Sequence, residues 1–282
     1  MPKSLIKNFD QYFHRHFSNM EKFQKDVRPT LCMIIAAGEP LSLEILQNYF
    51  KWNVEELRDF LKQLTSLFTI TGEAGFEVIA PVNKSLVDWL TNEETAGSYF
   101  TSKLEGHQIL AKSGWTCFEE NANHPEAIPL YFINYLAAHL RRVKEKQKEV
   151  TVLTDFPILV ERFRRGNISF LDLDFDYLPE EFIKSSPLKY CVGWHGRCFR
   201  MLMSVIPCDL LNKLPASEIA SKLSTICWEH KSSSPFDDDE YWMAHSPFDN
   251  KYYTFASQAM GGGWPTEPDY VEKDRPTRFD EN

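Results

Sequence analysis

The chain has 282 residues, 43% of them hydrophobic and 25% charged, and a formal net charge of -9. This balance is that of a globular protein and excludes a disordered or fibrous polymer over most of the length. The negative sign is wrong for a chain whose affinity would come from neutralising phosphates. An aromatic share of 14% predicts a well-filled core or a partner surface.

Met1 to Asp10 has no apolar run after a basic start, and no stretch reaches the roughly 18 apolar residues of a membrane span. A cytoplasmic chain with no membrane partner is expected. Six cysteines, Cys32, Cys117, Cys191, Cys198, Cys208 and Cys227, are too few for a disulfide framework at this length and fit a reducing compartment.

In chain order, Leu5, Ile6, Phe9, Phe13 and Phe17 recur at three- and four-residue steps, predicting an amphipathic entry helix from Leu5 to Phe23 within residues 1–26. Arg28-Pro29 reads as the start of a second helix, Thr30 to Ala37, stopped by Gly38. Ser42 is a good N-cap for Leu43 to Phe50. Asn53 is a good N-cap for Val54 to Phe68, where Leu57, Phe60, Leu61, Leu64 and Leu67 form one stripe.

Between Phe68 and Ala80 the period changes to that of two short strands around a glycine-containing turn, and a helix from Lys84 to Leu90 follows. Helices, a β-wing and a closing helix predict a winged helix over residues 27–91. Further helices are expected over Glu105–Glu119, Ile128–Lys148 and Thr154–Arg164 in a helical arm, residues 92–185, and around His195–Val205 and Ala216–His230 in a helical extension, residues 186–230.

Residues 231–282 are rich in Asp, Pro, Gly and aromatics and predict an irregular acidic tail that orders only on a partner. Within it Ser234-Pro235-Phe236-Asp237 recurs as Ser246-Pro247-Phe248-Asp249. The repeat reads either as a docking motif or as chance within a biased composition.

The run Arg28-Pro29-Thr30-Leu31 through Gly38-Glu39-Pro40-Leu41-Ser42, and Val54-Glu55-Glu56-Leu57 to Leu67-Phe68, resembles the winged helix of NACHT and related STAND ATPases. Asn83-Lys84-Ser85-Leu86-Val87-Asp88-Trp89-Leu90 and Gly106-His107-Gln108-Ile109-Leu110-Ala111 are similar to two further signatures of that family. Tyr131 to Leu140 is similar to its helical arm, so the resemblance covers about residues 1–165.

The resemblance implies a segment that relays nucleotide state between an ATPase core and a sensor. Two departures qualify it. The chain contains no Gly-Lys dipeptide and hence no Walker A loop, and Asn83 stands where the family places a nucleotide-proximal histidine. An amide cannot titrate or carry charge. No cofactor is expected.

Among other candidates, Cys191, His195 and Cys198, with Cys208, Cys227 and His230 beyond, offer zinc-type donors at spacings that match no standard zinc pattern. Asp172, Asp174 and Asp176 alternate with apolar residues and lack the glycine and distal glutamate of a calcium loop. No hydrolase or metalloprotease motif is present. The helix Val54 to Phe68 would be the DNA reader of a winged helix, but Glu55, Glu56 and Asp59 outweigh Arg58 and Lys62.

Arg141, Arg142, Lys144, Lys146 and Lys148 form the densest basic run and read as a solvent-facing helix end. His107 and His139 read as core or interhelix hydrogen-bonding residues. Trp52, Trp89 and Trp115 read as anchors between winged helix and arm.

The sequence therefore predicts a mainly α protein with a small β-wing, a helical arm and an acidic tail. Its expected role is non-catalytic contact with protein partners, a separate P-loop ATPase or repeat protein among them, as an adaptor or as part of a larger protein. The alternative is a winged-helix nucleic-acid-binding regulator.

Overall fold

The structure, a computed structural model, describes residues 3–165, 203–226, 228–234 and 237–256, apart from positions 65, 74 and 204. It is mainly helical, with two three-stranded antiparallel sheets among the described residues. The chain forms two compact units, Met1–Ala122 with Ile128–Glu149, and Asn123–Ala127 with Val150–Asn282.

In the first unit, α1 (Lys3–His16) buries Phe9 and Phe13, as its apolar period requires, and Phe17 is buried just beyond its end. It ends seven residues before the expected boundary at Phe23. The chain restarts at α2 (Met20–Lys22), where the Asn19 side chain accepts the Lys22 N–H at 3.0 Å. A π-helical turn (Phe23–Val27) then leads into α3 (Arg28–Ala36) without a break.

Pro29 sits in the first turn of α3, as expected, although the π-turn before it makes the passage into the helix continuous. A proline in a continuous helix lacks the N–H for the i−4 bond, and the π-turn just before it reroutes the Arg28 N–H to the Phe23 carbonyl. Every residue of α3 from Thr30 to Ala36 is buried, which marks it as the central helix of this unit.

Strand β1 (Leu41–Ser42) precedes α4 (Leu43–Phe50), whose N-cap Ser42 accepts the Glu44 N–H at 3.3 Å. Helix α5 (Val54–Lys62) opens with a capping box. The Asn53 side chain accepts the Glu55 and Glu56 N–H groups, and the Glu56 carboxylate accepts the Asn53 N–H at 2.8 Å. α5 stops six residues short of Phe68, and Leu64, still fully buried, lies in the turn that follows.

Strands β2 (Phe68–Thr71) and β3 (Val78–Pro81) form the expected hairpin, and β1 adds to its far side in the order β1–β3–β2. Ile79 faces Leu41 on one side and Ile70 on the other. Next come α6 (Lys84–Leu90), α7 (Glu93–Ala96), α8 (Lys103–Glu120), α9 (Leu130–Arg142) and α10 (Lys146–Thr154). The continuous helix expected from Ile128 to Lys148 is broken at Lys144, whose φ is 65°.

In the second unit, α11 (Phe156–Arg164) is capped by Asp155, which accepts the Ile158 N–H at 3.0 Å, and packs on α13 (Ala216–Leu223), which follows α12 (Cys208–Leu211). The Glu161 carboxylate receives Arg164 at 3.0 Å and Arg165 at 2.7 Å. The helix expected over Ala216–His230 ends at Leu223.

The loop-like tail expected after Lys231 is corrected as far as residue 256 by a sheet in the order β4–β5–β6, formed by β4 (Trp228–Ser234), β5 (Asp237–His245) and β6 (Tyr252–Ala256), and residues 257–282 lie outside the described residues. Ser234 pairs with Asp237 where β4 meets β5, and Pro235 and Phe236 of the first tetrapeptide lie outside the described residues. The second copy is turn chemistry. In the β5–β6 turn, Ser246 accepts the Phe248 N–H, and Asp249 accepts the Lys251 N–H and the Tyr253 hydroxyl. Serine, proline and aspartate favour such positions because they bond or preset the local backbone.

No helix among the described residues is long and apolar enough to cross a membrane.

Candidate functional site

The candidate site lies in the first unit, where α3, α8 and α9 meet. Ser102 caps α8 by accepting the Glu105 N–H, and Arg28 on α3 fixes that end. Its guanidinium pairs with the Glu105 carboxylate at 2.6 Å and donates to the Phe100 carbonyl at 3.1 Å. One residue on, Gly106 rests against α3. A β-carbon there would overlap the Cys32 carbonyl oxygen, so the two backbones touch only because the side chain is missing.

This contact aims His107 at α9. Its Nδ1 lies 2.8 Å from Nδ1 of His139, and Nε2 of His139 lies 2.8 Å from the Tyr131 hydroxyl. Tyr131, Tyr135 and His139 follow one another at four-residue steps, which stacks them along a single face of α9. The backbone amide of Gly38, just beyond α3, faces the Tyr131 phenol. Gly38 also abuts Tyr135, since a β-carbon on it would stand 2.6 Å from the ring.

Counting protons gives the chain a direction. The phenol is the better donor of the two and the imidazole nitrogen the better acceptor, so the phenol hydrogen points to Nε2 of His139. That imidazole then carries its hydrogen on Nδ1 and donates to Nδ1 of His107, whose own hydrogen sits on Nε2. Both contacts of His139 are then satisfied with both histidines neutral.

The electrostatics agree. Burial, and then the charge of a protonated His107, push His139 down to about 3. His107 is half-buried and is lowered by burial, then by Arg142 and Lys103. Burial raises Tyr131, with Glu39 and Tyr135 adding to the rise and the Gly38 N–H opposing it. Cys32 beside this junction is pushed up to about 11, chiefly by burial, so it stays a thiol.

Asn83, the residue at the position of the family's histidine, is the exposed N-cap of α6, and its side chain accepts the Leu86 N–H at 3.0 Å. It serves the helix rather than joining the His107–His139 chain. Cys191, His195 and Cys198, and the aspartates 172, 174 and 176, lie outside the described residues. Among the described residues no three His, Cys, Asp or Glu side chains are grouped to hold a metal ion.

Three of the five cations in the basic run are held by carboxylates. Glu149, with its side chain 1% exposed, accepts Arg141 at 2.7 Å and Lys146 at 3.3 Å, and Lys148 pairs with Glu145 at 3.6 Å. The tryptophans also differ from expectation. Trp89 is buried against Phe9 and Phe13 of α1, and Trp52 stacks on Phe50, so both anchor contacts outside the arm. Trp115 on α8 stacks with Phe118 of the same helix.

Sequence reasoning paired the two histidines with helix contacts but missed Tyr131 as a partner and Glu149 as a buried acceptor. The four-residue spacing from Tyr131 to His139 was the available signal for the first. The chain matches no family model, no curated protein and no solved structure.

Proposed function

We propose that residues 27–91 form a winged helix and act together with α8 and α9 as a non-catalytic interaction and regulatory module that carries a conformational signal between protein partners in the cytoplasm. The observation that carries this reading is the close seating of α3 on α8 at Gly106. The same α3 also packs on β3, so one buried helix is common to the wing and to the arm. A displacement of the arm then moves the sheet as well, because close-packed elements transmit shifts instead of absorbing them.

The strand order β1–β3–β2, with β1 between the first two helices and the hairpin after the third, supports the winged helix. The NACHT-like motifs support a relay role, with a P-loop ATPase or repeat protein as the partner class. Excess carboxylate on α5 argues against DNA: Glu55, Glu56 and Asp59 are exposed, and Lys62 is already paired with Asp59 at 2.7 Å.

Calorimetric titration of the purified full chain with magnesium ATP and ADP, together with a phosphate-release assay, tests the non-catalytic reading. No stoichiometric heat and no phosphate release are expected. One equivalent of bound nucleotide, or turnover, overturns it.

A further inference from the structure

We propose that the Tyr131–His139–His107 chain is a proton-operated latch between α8 and α9, closed while both imidazoles are neutral and released when the pair takes up protons. This does not depend on the relay role.

The geometry leaves one hydrogen for two Nδ1 atoms 2.8 Å apart. If His107 is protonated, its Nδ1 gains a hydrogen that faces the one on His139, and two N–H groups in contact repel. The bond survives only if the chain reverses, so that His139 carries its hydrogen on Nε2 and donates to Tyr131. The Tyr131 hydrogen, which faced Nε2 of His139, would then need a new acceptor. A second proton closes even that route, since both Nδ1 atoms then bear hydrogens.

The surroundings do not offset the added charge. Lys103 on α8 and Arg142 on α9 are both cations that act on His107. From the turn after α3, Glu39 lies beyond Tyr131 and accepts the Tyr135 hydroxyl at 3.3 Å. From α3 itself, Cys32 remains a neutral thiol and the charge of Arg28 is taken up by Glu105. Hydration then favours separating the two rings, and with them the facing turns of α8 and α9. His139, 2% exposed, gains most from opening. Burial already holds both imidazoles below the ordinary histidine value.

The test is hydrogen–deuterium exchange of the full chain between pH 7.5 and 5.0, corrected for the intrinsic pH dependence of exchange. Exchange of α8 and α9 peptides is expected to rise by up to about tenfold per pH unit for each proton taken up, below about pH 6.5. Peptides of the β1–β3–β2 sheet stay unchanged. In His107→Asn the amide oxygen can accept the His139 hydrogen and only His139 still takes up a proton on opening, so the acid response falls to that of one proton.

Equal acid deprotection in His107→Asn and wild type, or none in wild type, overturns the latch. If His107→Asn does not fold, nitrogen-15 histidine spectra of the wild type at pH 7.5 decide instead. Neutral rings with hydrogens on Nδ1 of His139 and Nε2 of His107 are expected, and any other tautomer pair or a charged ring overturns the proposal.

Discussion

Gly106 on α8 meets the backbone carbonyl of Cys32 on α3 with no space for a β-carbon between them. Two helices that approach this closely place the next residue, His107, at a fixed height and angle. Its bond to His139 is therefore a consequence of a missing side chain one position earlier.

Gly106→Ala tests this contact by the sign of its effect. Alanine in place of glycine in a helix interior ordinarily adds about 1 kcal/mol. Here the added methyl group collides with backbone, which cannot turn aside as a flexible side chain can. Overpacking of this kind costs about 1–3 kcal/mol or more. A net loss of about 2 kcal/mol in urea denaturation is expected, and a stabilised variant would contradict the contact.

The histidine pair predicts how stability depends on pH. The unfolded chain titrates near the ordinary histidine value of about 6.5, whereas His139 in the fold titrates at about 3 and His107 is also lowered. Between those values the unfolded state binds more protons, so stability rises with pH. The contribution is fully present above about pH 6.5 and is lost as pH falls toward the folded value. The slope is up to about 1.4 kcal/mol per pH unit per proton. Denaturation at pH 7.5, 6.5 and 5.5 should show a flatter dependence in His139→Gln than in wild type, with carboxylate contributions cancelling in the difference.

Asn83→Ala should lower stability by about 1 kcal/mol, the usual cost of losing an N-cap. Asn83→Asp should retain it, because a carboxylate accepts the Leu86 N–H and suits the positive end of α6. Thermal denaturation of the three proteins is the measurement. An alanine variant as stable as wild type would show that the cap contributes nothing.

Glu149→Gln removes a buried negative charge from between Arg141 and Lys146. Both cations reach solvent, with side chains 26% and 52% exposed, so the cost falls below that of a fully buried pair, at about 2 kcal/mol. Lys148→Gln, in an exposed pair, should change stability by less than about 0.5 kcal/mol. Equal effects in the two variants, read by urea denaturation, would refute the distinction.

Much of the helical framework was readable from local signals. The caps Ser42 and Asn53 start helices where their side chains can take orphan N–H groups, and the Phe9 and Phe13 stripe marks the buried face of α1. Strand β1 was not readable. Two residues carry no period, and Leu41 becomes a strand only because Ile79, far along the chain, pairs with it. The sheet β4–β5–β6 hid behind an aspartate-rich composition for a related reason, since each strand exists only through the ladder it shares with its neighbour.

What the sequence determined by itself was the set of amphipathic helices and their capped ends, because those depend on contacts three or four residues apart. Tertiary structure alone decided that His107 and His139, 32 positions apart, share one hydrogen, and that Arg141 and Lys146 serve Glu149 instead of a partner. Such assignments depend on the distance between helices, and that distance follows from which side chains, and which missing ones, lie between them. Gly106 is therefore the residue through which a local signature of the chain becomes a proton-sensitive contact between two helices.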